Sequence, residues 1–258
     1  MFKKLRVTIL LYILAFAAVG NYLASARTTD WDTTLWVDVY PINADGSAGT
    51  QAYVERLRDE DFDALERYFL AEAKRYGVVL DLPFRLDLAP QIANELPVLP
   101  AMPTILDTVL WSLEMRWFSA GVKRAHDRPS PDITLFALYH DETAAQVLDR
   151  STALQRGLIA VANVFAIPAA DGSNQVVMAH ELLHTLGATD KYAPGNALPA
   201  FPHGFADPAA IPLYPQSKAE LMAGRIPVEA DSARIPANLG ETLIGPTTAA
   251  EIRWLSLD

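Results

Sequence analysis

Residues 173–192 read SNQVVMAHELLHTLGATDKY, and the residue types best suited to chemistry concentrate there. His180 and His184 are four apart, which on a helix stacks their imidazoles on one side, one above the other. Two ring nitrogens held in this way can reach a single zinc ion at about 2.0–2.1 Å while the helix keeps them rigid. Glu181 is adjacent to His180, too close in sequence to share the ion comfortably but well placed to hold its water. A zinc-bound water with a pKa of about 7 needs a carboxylate to accept its proton and return it to a leaving amine. The helix itself is legible. Ser173 or Asn174 can cap its start, it runs to Leu186, and Gly187 suits the left-handed position that ends a helix. Val176, Ala179, Leu183 and Leu186 form one stripe for packing into a core.

A catalytic zinc takes a third protein ligand and keeps one position open. Gly187 lets the chain turn sharply, and Asp190 follows three residues later. His203 and Glu220 are the alternative third ligands, whereas His126 and His140 read as surface or strand-end residues with no zinc role. HELLHTLGATD has the layout HExxHxxGxxD. It resembles the extended HExxHxxGxxH motif of the metzincin metallopeptidases, with aspartate replacing the last histidine. The snapalysin group of small secreted metzincins carries the same replacement and a tyrosine two residues beyond it, a position that Tyr192 matches. Ala219–Gly224 (AELMAG), with Met222 thirty-eight residues past His184, is similar to the metzincin Met-turn. Met222 would there set a polarizable thioether beneath the imidazoles without ligating the metal.

The resemblance implies zinc-dependent hydrolysis of a peptide or protein substrate. His180, His184 and Asp190 would hold one Zn²⁺ and Glu181 would activate the water. Tyr192 would meet the developing oxyanion or pack at the cleft wall. It further implies a metzincin-like α+β fold, with a mixed sheet and the active-site helix in an upper lobe over about residues 31–187. A Pro-rich, irregular lower lobe would occupy residues 188–258. The strand before the active-site helix would offer its edge to an extended substrate. With Glu220 as third ligand the site would resemble the gluzincins instead. Two readings of other classes stand beside these: a non-catalytic envelope protein that keeps a structural metal, and a metal-free module that grips partners along a sheet edge.

The elements that must position the motif can be read by periodicity. Leu35–Tyr40 alternates and is rich in β-formers, with Pro41 and Asp45-Gly46 ending it. Apolar residues recur at helical spacing from Gln51 to Tyr76, and Gly77 closes that run. Phe84, Leu86 and Leu88 predict a strand with one wet face. A Pro-rich patch then leads to a helix from about Thr104 whose stripe is Leu106, Leu110, Leu113 and Trp117. Ile133–Tyr139 is apolar on both faces and reads as a central strand. The 158–167 run reads as another strand, with Asn163 its one polar interruption, bordering the cleft. Nine of the eighteen prolines lie between Pro194 and Pro246, where no long periodic segment appears before a short helix at about 248–255.

Composition narrows the classes. The 258 residues include no cysteine, which excludes a disulfide scaffold, a thiolate zinc site and a cysteine nucleophile. Thirty-one acidic against 21 basic residues, net −10, count against a nucleic-acid partner. Lys3, Lys4 and Arg6 precede an uncharged stretch, residues 7–26, that ends in the small-x-small pattern Ala24-Ser25-Ala26. Its apolar heart, Val7–Val19, is short of the about 20 residues of a bilayer span. Residues 1–26 therefore read as a signal peptide cleaved after Ala26, or as an N-terminal anchor if Tyr22 and Leu23 extend the span. The expectation is an exported protein, periplasmic or secreted, with residues 27–258 forming one domain.

Overall fold

Side chains alternate across a strand, so the pattern along each strand decides what either face of the sheet can bury. A computed structural model describes residue 12 and residues 27–93, 95–100, 104–126, 130–143 and 151–255. The expected signal peptide or anchor, residue 12 apart, lies outside them. Five strands form one mixed sheet: β1 (Leu35–Asn43), β2 (Phe84–Leu88), β3 (Ile133–His140), β4 (Thr152–Leu154) and β5 (Ile159–Phe165). Their order is β2-β1-β3-β5-β4, parallel throughout except for β4, which runs antiparallel to β5 at the edge. The architecture is mixed α/β.

Helices cover both faces. Val37, Val39, Leu135, Ala137, Ala160, Ala162 and Val164 project to one side, where α1 (Ala48–Arg56) and α2 (Asp63–Arg75) pack. Tyr40, Ile42, Phe136 and Ile159 project to the other, against α3 (Ile105–Ala125). The helix bearing the histidines, α4 (Asp171–Thr185), lies on the first side and buries Val176, Ala179, Leu182, Leu183 and Leu186. Beyond it come two pairs of short strands, β6 (Ala219–Glu220) with β9 (Thr242–Leu243) and β7 (Ile226–Glu229) with β8 (Ser232–Arg234), then α5 (Pro246–Glu251). This region is no separate core: Leu221, Met222, Leu239, Ile244, Ala249 and Trp254 belong to the same buried cluster as α4. Trp31 joins it from the other end of the fold, donating its indole N–H to the Ile252 carbonyl at 2.7 Å.

Several elements differ from the sequence expectation. Pro41 does not end β1, because the strand continues to Asn43. The Pro41 carbonyl accepts from Ile92 N, so its missing N–H faces the side where β2 has already ended, and no ladder bond is lost. The single helix expected over 51–76 is two. Leu57 and Arg58 leave helical geometry, and the Arg58 amide donates to the Asp61 carboxylate, opening a short 3₁₀ turn before α2. For α4 the cap is neither Ser173 nor Asn174. The helix starts at Asp171 after Ala170, and the Asn174 amide instead clasps Phe165, donating to its carbonyl and accepting from its N–H. That clasp ties the start of α4 to the end of β5. The sheet edge is β4, not the β5 strand that precedes α4.

The largest departure is in α3. Trp111, Met115 and Val122 meet the sheet, while the expected stripe of Leu106, Leu110, Leu113 and Trp117 faces outward. The helix is apolar on two sides, and periodicity identifies a shared face without saying which one meets the sheet. Among the described residues, no helix is long and apolar enough to cross a membrane.

Leu182 is fully buried between α4 and the sheet. Leu182→Ala should lower the free energy of unfolding in urea by about 2–5 kcal/mol, the range for a large buried aliphatic side chain.

Candidate metal centre

The middle of α4 is held by its buried stripe, and this fixes the direction in which His180 and His184 project. His180 Nδ1 lies 3.0 Å from the Leu221 carbonyl oxygen, and His184 Nδ1 lies 2.8 Å from that of Ala188. A carbonyl only accepts, so each Nδ1 carries the proton and each Nε2 is left with a lone pair. Those two Nε2 atoms are 3.0 Å apart. Asp190 Oδ1 completes a triangle, 3.2 Å from His180 Nε2 and 3.1 Å from His184 Nε2. Three electron-rich atoms this close repel one another unless a cation sits among them. A tetrahedral ion at about 2.0–2.1 Å spaces its donors by about 3.3–3.4 Å, close to this triangle. His180, Glu181 and His184 together could hold a metal ion, their ligand atoms lying within 4.8 Å of one another. The donor set fits: two neutral imidazoles and a carboxylate suit a divalent metal of intermediate hardness.

Electrostatics point the same way. Burial alone would raise the Asp190 carboxyl, but His180, His184 and the Tyr192 hydroxyl bonded to it hold it well below the usual carboxylate range. Burial pushes His180 down, yet Asp190 and Glu181 outweigh it and raise it above the ordinary imidazole value. A site that favours a proton on a buried imidazole favours any cation there. Glu181 is 5% exposed, on the same helix.

The loop that carries Asp190 is locked from both sides. Gly187 takes φ +103°, which lets the chain leave α4 sharply, and Ala188 returns its N–H to Leu183. Thr189 donates its amide and its hydroxyl to the two carboxylate oxygens of Glu251, at 2.9 and 2.7 Å. Buried Lys191 donates from Nζ to Glu251 at 2.7 Å and to the Thr189 carbonyl at 2.7 Å. Its backbone N–H meets the Met222 carbonyl at 2.9 Å. Both neighbours of Asp190 are thus fastened to α5, and one of them also to the 221–223 turn. Glu251, Thr189 and Lys191 were not legible as site residues: the carboxylate stands 60 residues beyond Lys191, and no local pattern connects them.

The remaining candidates fall as follows. Met222 is fully buried in the 3₁₀ turn 221–223, whose Leu221 carbonyl anchors His180. The Tyr192 hydroxyl bonds the Asp190 carboxylate. Glu220 is not a third donor. It is fully buried, and its carboxylate accepts from Ala223 N at 3.0 Å, Gly245 N at 3.0 Å and Thr248 Oγ1 at 2.6 Å, which holds the 221–223 turn against α5. His203 does not join the group of His180, Glu181 and His184, and its Nδ1 pairs with Thr247 Oγ1 at 2.8 Å. His140 lies at the end of β3 and bonds the Asn163 side chain at 2.9 Å, and His126 sits at the end of α3. Asn163 lies on β5, one strand in from the edge. A cavity of about 540 Å³ opens beside the first half of α4, lined by Tyr53, Tyr139, Asp171 and Gln175, apart from the histidines.

No family model matches the chain, and no curated protein matches it.

Glu251→Gln should leave α4 folded but weaken metal binding about tenfold, the lower end of what loss of a supporting partner costs, as read by competition with a chelator. Burial tends to raise the Glu251 carboxyl, but Lys191 and Thr189 outweigh this and leave it below its ordinary value. The stabilisation it contributes is therefore complete above the ordinary carboxyl range and is lost as pH falls through the lowered value. The variant should flatten that acid limb of the stability curve.

Proposed function

We propose that the protein is a zinc-dependent peptidase of metzincin type with aspartate as third ligand. The observation that carries the reading is the convergence of His180 Nε2, His184 Nε2 and Asp190 Oδ1 within 3.0–3.2 Å, with both imidazole tautomers fixed by backbone carbonyls. The Met222 turn, whose Leu221 carbonyl anchors His180, supports it. When bound, zinc supplies a Lewis acid for the scissile carbonyl and makes its water acidic enough to act as a nucleophile at neutral pH.

The chain's own residues do the rest. Glu181, buried beside the histidines, accepts the proton of the attacking water and delivers it to the departing amine. Leu221 and Ala188 keep the imidazoles neutral and aimed. Tyr192 and the Glu251 clamp hold Asp190 in register. An extended substrate adds to the outer edge of β4 through main-chain hydrogen bonds, which brings a peptide bond past the histidines without demanding a particular sequence. Export, with residues 1–26 as signal or anchor, would put the enzyme among extracytoplasmic peptides and proteins.

Two variants test the reading on protein loaded with zinc. Glu181→Gln should retain about one zinc per chain, a structural site's worth, and lose about 10²–10⁴-fold in peptide hydrolysis. His184→Ala should lose both the zinc and the thermal stability that zinc confers. Zinc well below stoichiometric in the unaltered protein, even after the metal is added back, would overturn the proposal. Full hydrolysis by Glu181→Gln would remove the glutamate from the mechanism, and zinc binding without any hydrolysis would leave a structural metal.

A further inference from the structure

The outward face of α3 is unlike the rest of this acidic chain. Ile105 is 87% exposed, Leu106 66%, Val109 51%, Leu110 49%, Leu113 48% and Trp117 83%. At 3.6 residues per turn these six lie within an arc of about 140°. They are a contiguous strip over three turns rather than scattered single residues, and such strips mark interaction surfaces. The opposite face is already spent on the sheet through Trp111, Met115 and Val122, so the strip does not serve the core.

Charge identifies the partner. Along the same arc the helix continues as Arg116, Ala120 and Arg124, with Lys123 half-buried at its edge near Asp38 and Asp132; no acidic residue of α3 falls within the arc, Asp107 and Glu114 lying outside. A protein of net charge −10 thus reserves on one helix face an apolar strip followed by two exposed arginines, Arg116 and Arg124. A tryptophan stands where the two meet. That is the composition of a helix lying in the plane of a bilayer, with apolar side chains among the acyl chains, an aromatic at the boundary and cations at anionic headgroups.

The chain's route agrees. Arg27, directly after the uncharged 7–26 stretch, forms an ion pair at 2.9 Å with Asp132, seven residues past the end of α3. Trp36, 52% exposed, accompanies it: its backbone amide donates to Asp132, and on β1 it shares a face with Tyr40 and Ile42, the α3 side of the sheet. We infer that α3 docks the folded domain on an anionic lipid surface, with residues 105–117 in the interface and the exposed Arg116 and Arg124 at the headgroups. This inference is independent of the metal reading.

Because the chain has no cysteine, a single introduced one can be labelled uniquely. A nitroxide at Leu110→Cys, Leu113→Cys or Glu114→Cys in the full chain reports the access of oxygen and of a water-soluble nickel chelate. The ratio of oxygen to nickel access should rise several-fold at 110 and 113 when phosphatidylcholine–phosphatidylglycerol vesicles are added. It should stay unchanged at 114, and the rise should shrink when Arg116 and Arg124 are both replaced by glutamine. The 114 label separates contact by this face from mere tethering through residues 7–26. Unchanged ratios at 110 and 113, or an equal rise at 114, would overturn the inference. So would spin–spin broadening at 110 and 113 without vesicles, which would mean that a second copy covers the face.

Discussion

Two hydrogen bonds organise the centre of this protein. When a backbone carbonyl takes the Nδ1 proton of each histidine, the other nitrogen of each ring has only a lone pair to present. His180 and His184 present theirs to each other and to a carboxylate, an arrangement that is repulsive on its own account. The carbonyls that impose it, of Leu221 and Ala188, come from a turn on the far side of the centre and from the end of α4 itself. Whatever fixes those two peptide units fixes the centre. Glu220 does this for the first and the Gly187 exit from α4 does it for the second.

This hierarchy explains the placing of buried charge. Glu220 and the Lys191–Glu251 pair are costly to remove from water, and none of them contributes a donor atom. Each satisfies backbone groups of the irregular region: the amides of Ala223 and Gly245 for Glu220, and the amide and carbonyl of Thr189 for the pair. A segment with many prolines and few regular elements has little secondary structure to absorb its polar groups, and buried ions substitute for it. Without disulfides the region is held otherwise by its share in the common core, through Leu221, Met222, Ile244 and Trp254.

What was legible in the sequence is what is local. His180, Glu181, His184, Gly187 and Asp190 lie within eleven residues; helix geometry relates the first three, and a glycine exit brings Asp190 back towards them. The strand pattern was legible too, since alternation within one strand predicts its two faces. The Glu251 clamp, the Glu220 anchor and the β4 edge depend on chain segments that meet only in the fold. In α3 the local signal was present and pointed the wrong way. Two apolar stripes compete on that helix at the same spacing, Leu106, Leu110, Leu113 and Trp117 against Trp111, Met115, Phe118 and Val122, and the sheet takes the second. The break at Leu57–Arg58 was hidden because Leu57 keeps its apolar register after the backbone has left the helix.

The Glu251 clamp has a consequence in time as well as in space. The ribosome makes the histidines and Asp190 some sixty residues before the carboxylate that steadies Asp190's neighbours. Until residue 251 has emerged, the chain carries a complete motif on an unsteadied loop. A chain cut short before α5 would keep the signature while losing the contacts that steady both neighbours of Asp190. Order of synthesis itself thus leaves the triangle of His180, His184 and Asp190 unsteadied until residue 251 has been made.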